Sequence, residues 1–220
     1  MQRSGTESWL LSISSDGTPH EALYVRDALR LCTSGDLSPP RALDGVPDRS
    51  ELLSTGERGR AAAQWLPWWR AVLELEAQFH EPGVRPSSTE EFLAFARESH
   101  AERVRRLGEP PDFEAMTDWP ELRKAVVALH PEARTWAGRV RAPNQREGWW
   151  EQTRDVAEEV ARACRVSPGA VRGTVQVLAV EGSWWRLLGS GSVVCSVAAF
   201  QDHDVAAEIL RTTFTSGLET

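Results

Sequence analysis

Lysine is almost missing from this chain of 220 residues: Lys124 is the only one among 25 basic residues. With that lysine preceded by Arg123, no phosphate-binding loop of the G-x-x-x-x-G-K-[ST] kind exists, and no G-x-G-x-x-G follows a strand. Cysteine is scarce as well. Cys32, Cys164 and Cys195 are odd in number, far apart and without a C-x-x-C spacing. That excludes a disulfide framework or a zinc site and reads as buried thiols of a reducing compartment. Long apolar runs are absent: nothing approaches the roughly 20 residues of a membrane helix, and residues 1–8 carry no apolar core after Arg3. The expectation is a cytoplasmic protein with no membrane partner. Tyrosine is reduced to Tyr24, against 10 tryptophans.

What is present is an ordinary globular composition, with 41% hydrophobic and 26% charged residues. Arginine in place of lysine, with plentiful Ala and Val, is what GC-rich codons produce, so a high-GC bacterial source is expected. The net charge of −7 repels phosphate backbones as a whole. One domain over 1–220 is expected, with long loops near 33–55 and 81–88, where prolines and glycines gather.

Alternation of Trp9, Leu11 and Ile13 with Leu10, Ser12 and Ser14 predicts an N-terminal strand, and Asp16-Gly17 a turn after it. Glu21 to Val25 reads as the returning strand. Helical stripes follow: Ala62 to Phe79, kinked or split at Pro67; Leu93, Ala96, His100, Val104 and Leu107, opened by a Ser87–Glu90 capping box; and Leu122 to Leu129, continuing past Pro131 to Val140. Trp149, Thr153, Val156, Val160 and Ala163 form another stripe, and a last helix starts at Asp202 or Asp204. Trp184 to Leu188 and Val193 to Val197 flank Gly189-Ser190-Gly191-Ser192 as a hairpin.

Residues 171–181 read two ways. Val175, Val177 and Ala179 alternate with Gln176 and Leu178, as in a strand that would extend the hairpin into an antiparallel meander. Val171, Thr174, Val175 and Leu178 also make a helical stripe. In that second reading residues 156–196 resemble the winged helix-turn-helix of gluconate-repressor-type bacterial regulators. The matching residues are Ala157, Glu158, Val166, Ser167, Pro168, Gly169, Val171, Arg172, Leu178, Glu181 and Gly182. The resemblance implies a helix from Ser167 entering the major groove, with Arg172 among its readers.

Other chemistry-bearing residues have plainer readings. Asp202-His203-Asp204 suits helix capping better than metal ligation. His100 falls on an apolar stripe and reads as a packed core histidine. His20-Glu21 and His80-Glu81 lack the second histidine of a zincin motif, and Gly189-Ser190-Gly191-Ser192 is not a nucleophile elbow. No cofactor, metal ligand or catalytic residue is nominated. Three adjacent pairs remain: Trp68-Trp69, Trp149-Trp150 and Trp184-Trp185. Neighbours on one element face different ways, so one member of each pair should lie at a boundary.

These readings converge on an α+β fold, mainly helical, with a small antiparallel sheet made by a C-terminal β-meander that the N-terminal strand can join. The expected function is that of a non-catalytic interaction or ligand-binding protein, using exposed tryptophans to hold a protein or an apolar small molecule. The alternatives are a DNA-binding regulator through residues 156–196, and an enzyme, which would require a deep polar pocket with convergent histidines or carboxylates.

Overall fold

A four-stranded mixed sheet separates two hydrophobic cores in the computed structural model, which describes residues 9–15, 17–42, 45–79, 88–140 and 148–218. The strands are β1 (Leu10–Ser14), β2 (Arg172–Leu178), β3 (Trp185–Gly189) and β4 (Ser192–Ser196), in the order β1-β2-β4-β3. The hairpin forms where the Gly/Ser turn places it, with Gly191 at φ 70°.

The fold is α+β and mainly helical, as the patterning indicates. The sheet is not an antiparallel meander, however: β2 pairs in parallel with both β1 and β4, and β3 pairs only with β4. Burial explains the order. Every residue of β4 is buried, whereas β3 carries exposed Arg186 and Leu187. An apolar strand gains most between two neighbours, and a charged one suits an edge. The chain therefore skips one strand position after Leu178, lays down β3 at the edge and returns β4 beside β2.

With 172–178 a strand, the helix-turn-helix reading loses its groove-entering helix. Ser167 precedes a short 3-10 turn, Pro168–Ala170, and Arg172 begins the central strand β2. Val175 and Val177 face one core, and Leu178 faces the other.

The first core is built by three helices. α1 spans Thr18–Ala28, so the returning strand expected at 21–25 is helical instead. Ala22, Leu23, Tyr24 and Val25 are all buried, and a helix apolar on nearly every side imitates a short strand run. Pro19 in the first turn supplies the helical start.

α2 runs unbroken from Thr55 to Phe79 through Pro67. It opens with a reciprocal cap: Glu57 N–H donates to Ser54 Oγ, while Ser54 N–H and Oγ–H donate to the Glu57 carboxylate. α4 (Pro120–Arg139) likewise continues through Pro131. Between them α3 (Thr89–Leu107) is capped by Ser88, whose side chain accepts from Glu91 N–H. That cap lies one residue beyond the expected one, and Ser87, like the rest of 80–87, lies outside the described residues.

Opposite the sheet, α5 (Trp149–Cys164), α6 (Val197–Gln201) and α7 (His203–Ser216) form the second core. Asp202 caps α7 by accepting from the N–H groups of Asp204 and Val205, the capping role read from the sequence. Ala163 falls outside the α5 stripe and is exposed, its place taken by Ala157 and Ala161.

Between α1 and α2, residues 37–40 are tied down. Arg26, buried, donates to the carbonyls of Pro39 (2.6 Å) and Pro40 (2.7 Å), and Trp69 Nε1–H donates to Leu37 O at 2.9 Å. Among the described residues no helix is long and apolar enough to cross a membrane.

Candidate functional site

The tryptophan pairs divide as helix and strand geometry requires, with one exception. Trp149 is 1% exposed and packs on Phe200 at a ring separation of 4.2 Å, while Trp150 is 51% exposed and stacks on Trp9 at 5.9 Å. Trp184 is buried and Trp185 half-buried. The exception is Trp68-Trp69, where both rings are buried because α2 lies among α1, α3 and α4. Trp69 stacks on Trp65 at 5.3 Å, on the side facing α1. Trp150 is thus the one clearly exposed tryptophan among the six nominated, and the set does not form one surface.

Trp68 turns to a cavity of about 370 Å³. Besides Trp68 of α2, three helices line it, each with one stripe: Thr18, Glu21 and Val25 from α1; His100, Arg103 and Leu107 from α3; Val126, His130, Ala133 and Arg134 from α4. The loop after α3 adds Gly108, Pro110 and Phe113. Spacings of three and four are what bring successive residues to one helix face. Gly108 sits at φ 80°, with the Phe113 backbone so near that a Cβ would overlap it. This close approach folds the loop over the cavity.

Polar groups converge on an apolar wall. Glu21 Oε2 lies 3.3 Å from His130 Nδ1, and both side chains are largely buried. Burial holds the Glu21 carboxyl above its ordinary range, against the charges of His130, Arg134 and Arg103 that favour ionisation. The His130 ring meets the Phe113 ring edge-on at 5.2 Å. Arg103 is anchored by Glu76 at 3.0 Å and by Thr18 Oγ1. Arg134 is exposed at the mouth, with no ion pair among the described residues. Trp68 Nε1–H is buried with no hydrogen-bond acceptor.

The histidines are redistributed relative to the sequence reading. His100 is not a core residue: its side chain is 63% exposed, 3.7 Å from Glu109 at the cavity rim. The buried histidine is His20, whose Nε2 accepts from Ala179 N–H at 3.1 Å, linking α1 to the segment after β2. Cys32 and Cys164 are exposed rather than buried, and only Cys195 lies in the core, where burial pushes its thiol up. Among the described residues no cluster of three or more His, Cys, Asp or Glu is arranged to hold a metal.

The local pattern does not reveal this site, because Glu21 lies in a run that reads as a strand and His130 stands beside Pro131, where the apolar stripe is interrupted. The available signal was the matching periodicity of 18/21/25, 100/103/107 and 126/130/133. No family model, no curated protein and no solved structure matches the chain.

Proposed function

We propose that this protein binds a small molecule in the cavity among α1, α3 and α4. The observation carrying the reading is the meeting of one apolar wall (Val25, Trp68, Leu107, Phe113, Val126) with a few convergent polar groups (Glu21, His130, Arg103, Arg134) in a space of about 370 Å³. Cavities of that size, mostly apolar with a few placed polar groups, are where small ligands lose water on most of their surface. The tryptophan expected to take part is retained as Trp68, acting inside the molecule rather than on its surface.

The test is titration with the uncharged fluorophore phenylnaphthylamine, followed by probe emission. Filling the cavity with Val126→Phe or Ala133→Leu is expected to abolish binding in variants whose circular dichroism is unchanged, while Trp150→Ala binds normally. Binding that survives both filled variants, or that is lost with Trp150→Ala, refutes the reading.

Glu21 and His130 favour a second reading, acid–base catalysis in the same cavity, since a carboxylate beside an imidazole orients it for proton transfer. It predicts turnover of chromogenic esters or phosphoesters that His130→Gln abolishes at unchanged probe affinity. Absence of turnover across both substrate classes removes it.

A further inference from the structure

We infer that the ligand is an amphipathic anion, with an apolar body lying against Trp68 and Phe113 and an acidic head at Arg134. This rests on the cavity being a ligand site and adds the chemistry of what enters it.

The cavity has more hydrogen-bond donors than acceptors. Arg103 and Arg134 can only donate, as can the Trp68 indole. The one lining carboxylate, Glu21, already faces His130 at 3.3 Å. Arg103 is committed to Glu76 and Thr18, so its charge is met within the protein. Arg134 is left with neither an ion pair nor a hydrogen bond among the described residues, at the mouth that His100 also lines. Trp68 Nε1–H is buried and lacks a hydrogen-bond acceptor, as does Trp136 Nε1–H away from the cavity, so the indole marks the wall and Arg134 carries the polar demand. A ligand bearing acceptor oxygens answers Arg134, whereas an amine would add donors to a site already full of them. The overall charge does not explain the arrangement either: the chain carries −7, yet the exposed charged group at this mouth is a guanidinium. A carboxylate, sulfonate or phosphate head satisfies it in a fork-shaped, charge-assisted pairing.

The experiment compares two probes with the same ring system, anilinonaphthalene sulfonate and uncharged phenylnaphthylamine, on the full chain. Affinity is read by titration, and the location of binding by the indole N–H resonance of Trp68, assigned with Trp68→Phe. The sulfonate is expected to bind about tenfold or more tightly, the worth of one charge-assisted contact. Arg134→Gln should bring the two affinities together without changing that of the uncharged probe. In each case the Trp68 resonance should move. Equal affinities with a moving Trp68 resonance, or a sulfonate preference that survives Arg134→Gln, would overturn the anionic class while leaving the cavity as the site. Failure of both probes to move the Trp68 resonance would overturn the cavity reading and this inference with it.

Discussion

Glu21 and Gln176 are polar side chains whose burial conflicts with their chemistry. Burial holds the folded-state pKa of Glu21 above its ordinary value of 4.5, against the opposing charges of His130 and Arg134 on α4 and Arg103 on α3. The native state therefore binds more protons than the unfolded chain from about that pH up to the raised value, so this group's contribution to stability falls as pH rises through the window. Glu21→Gln removes the titration. Its unfolding free energy relative to the native chain should increase between about pH 4 and pH 7. Urea unfolding at the two pH values checks this, and a flat or falling difference would contradict it.

Gln176, in the middle of β2, is buried on the face shared with Leu178, and neither amide atom has a hydrogen-bond partner. Leaving such a group unmet costs about 1–3 kcal/mol. Gln176→Met, of similar length, should raise stability by an amount in that range. A lower urea midpoint at constant m-value would show that the amide has a role that side-chain geometry does not reveal.

At the scale of elements, two joints are open to test. α5 ends in a left-handed turn at Arg165, φ 57°, where Arg165 N–H donates to Arg162 O and Val166 N–H to Ala161 O. This is the Schellman pattern, in which glycine usually occupies that position because it has no Cβ to crowd the next carbonyl. Arg165→Gly should stabilise the protein by about 0.5–1 kcal/mol, measured as a shift in thermal midpoint.

Gly173 works in the opposite direction. Read as part of a helix it is a weak point, but in β2 it lets α7 pack directly onto the strand, and a Cβ there would overlap Thr213 Cγ2. Gly173→Ala should cost about 1–3 kcal/mol by overpacking. No change in stability would mean that α7 can move away at little cost.

The whole molecule is two cores sharing one sheet. Along β4, Val194 belongs to the helical core of α1, α2 and α4, while Val193 and Cys195 belong to the core of α5 to α7. Neither face of the sheet can be exposed without opening the strands that hold the other. Tryptophan emission and far-ultraviolet circular dichroism should therefore follow one coincident urea transition, and two separated midpoints would mean that the cores open independently.

Much of this architecture can be read along the chain. Strong periodicity and capping residues locate α2 to α5 and α7 to within a few residues, and the Gly189 to Ser192 turn locates the hairpin, because these depend on neighbours three or four positions apart. Local pattern fails where burial is nearly uniform. α1 resembles a strand because it is apolar on most sides, and residues 171–181 satisfy both periods at once. Strand order was out of reach for the same reason: the apolar content of β4 shows that it is buried, not which strand it lies beside. The cavity is further still from the sequence. Glu21, Trp68, Arg103 and His130 come from four helices, and each has an ordinary local reading as a surface or core residue. The sequence by itself determined the class, most of the helices and the turn; only the packing of α1 to α4 decided that these side chains meet, since a site is made by contacts between distant segments and no local period records them.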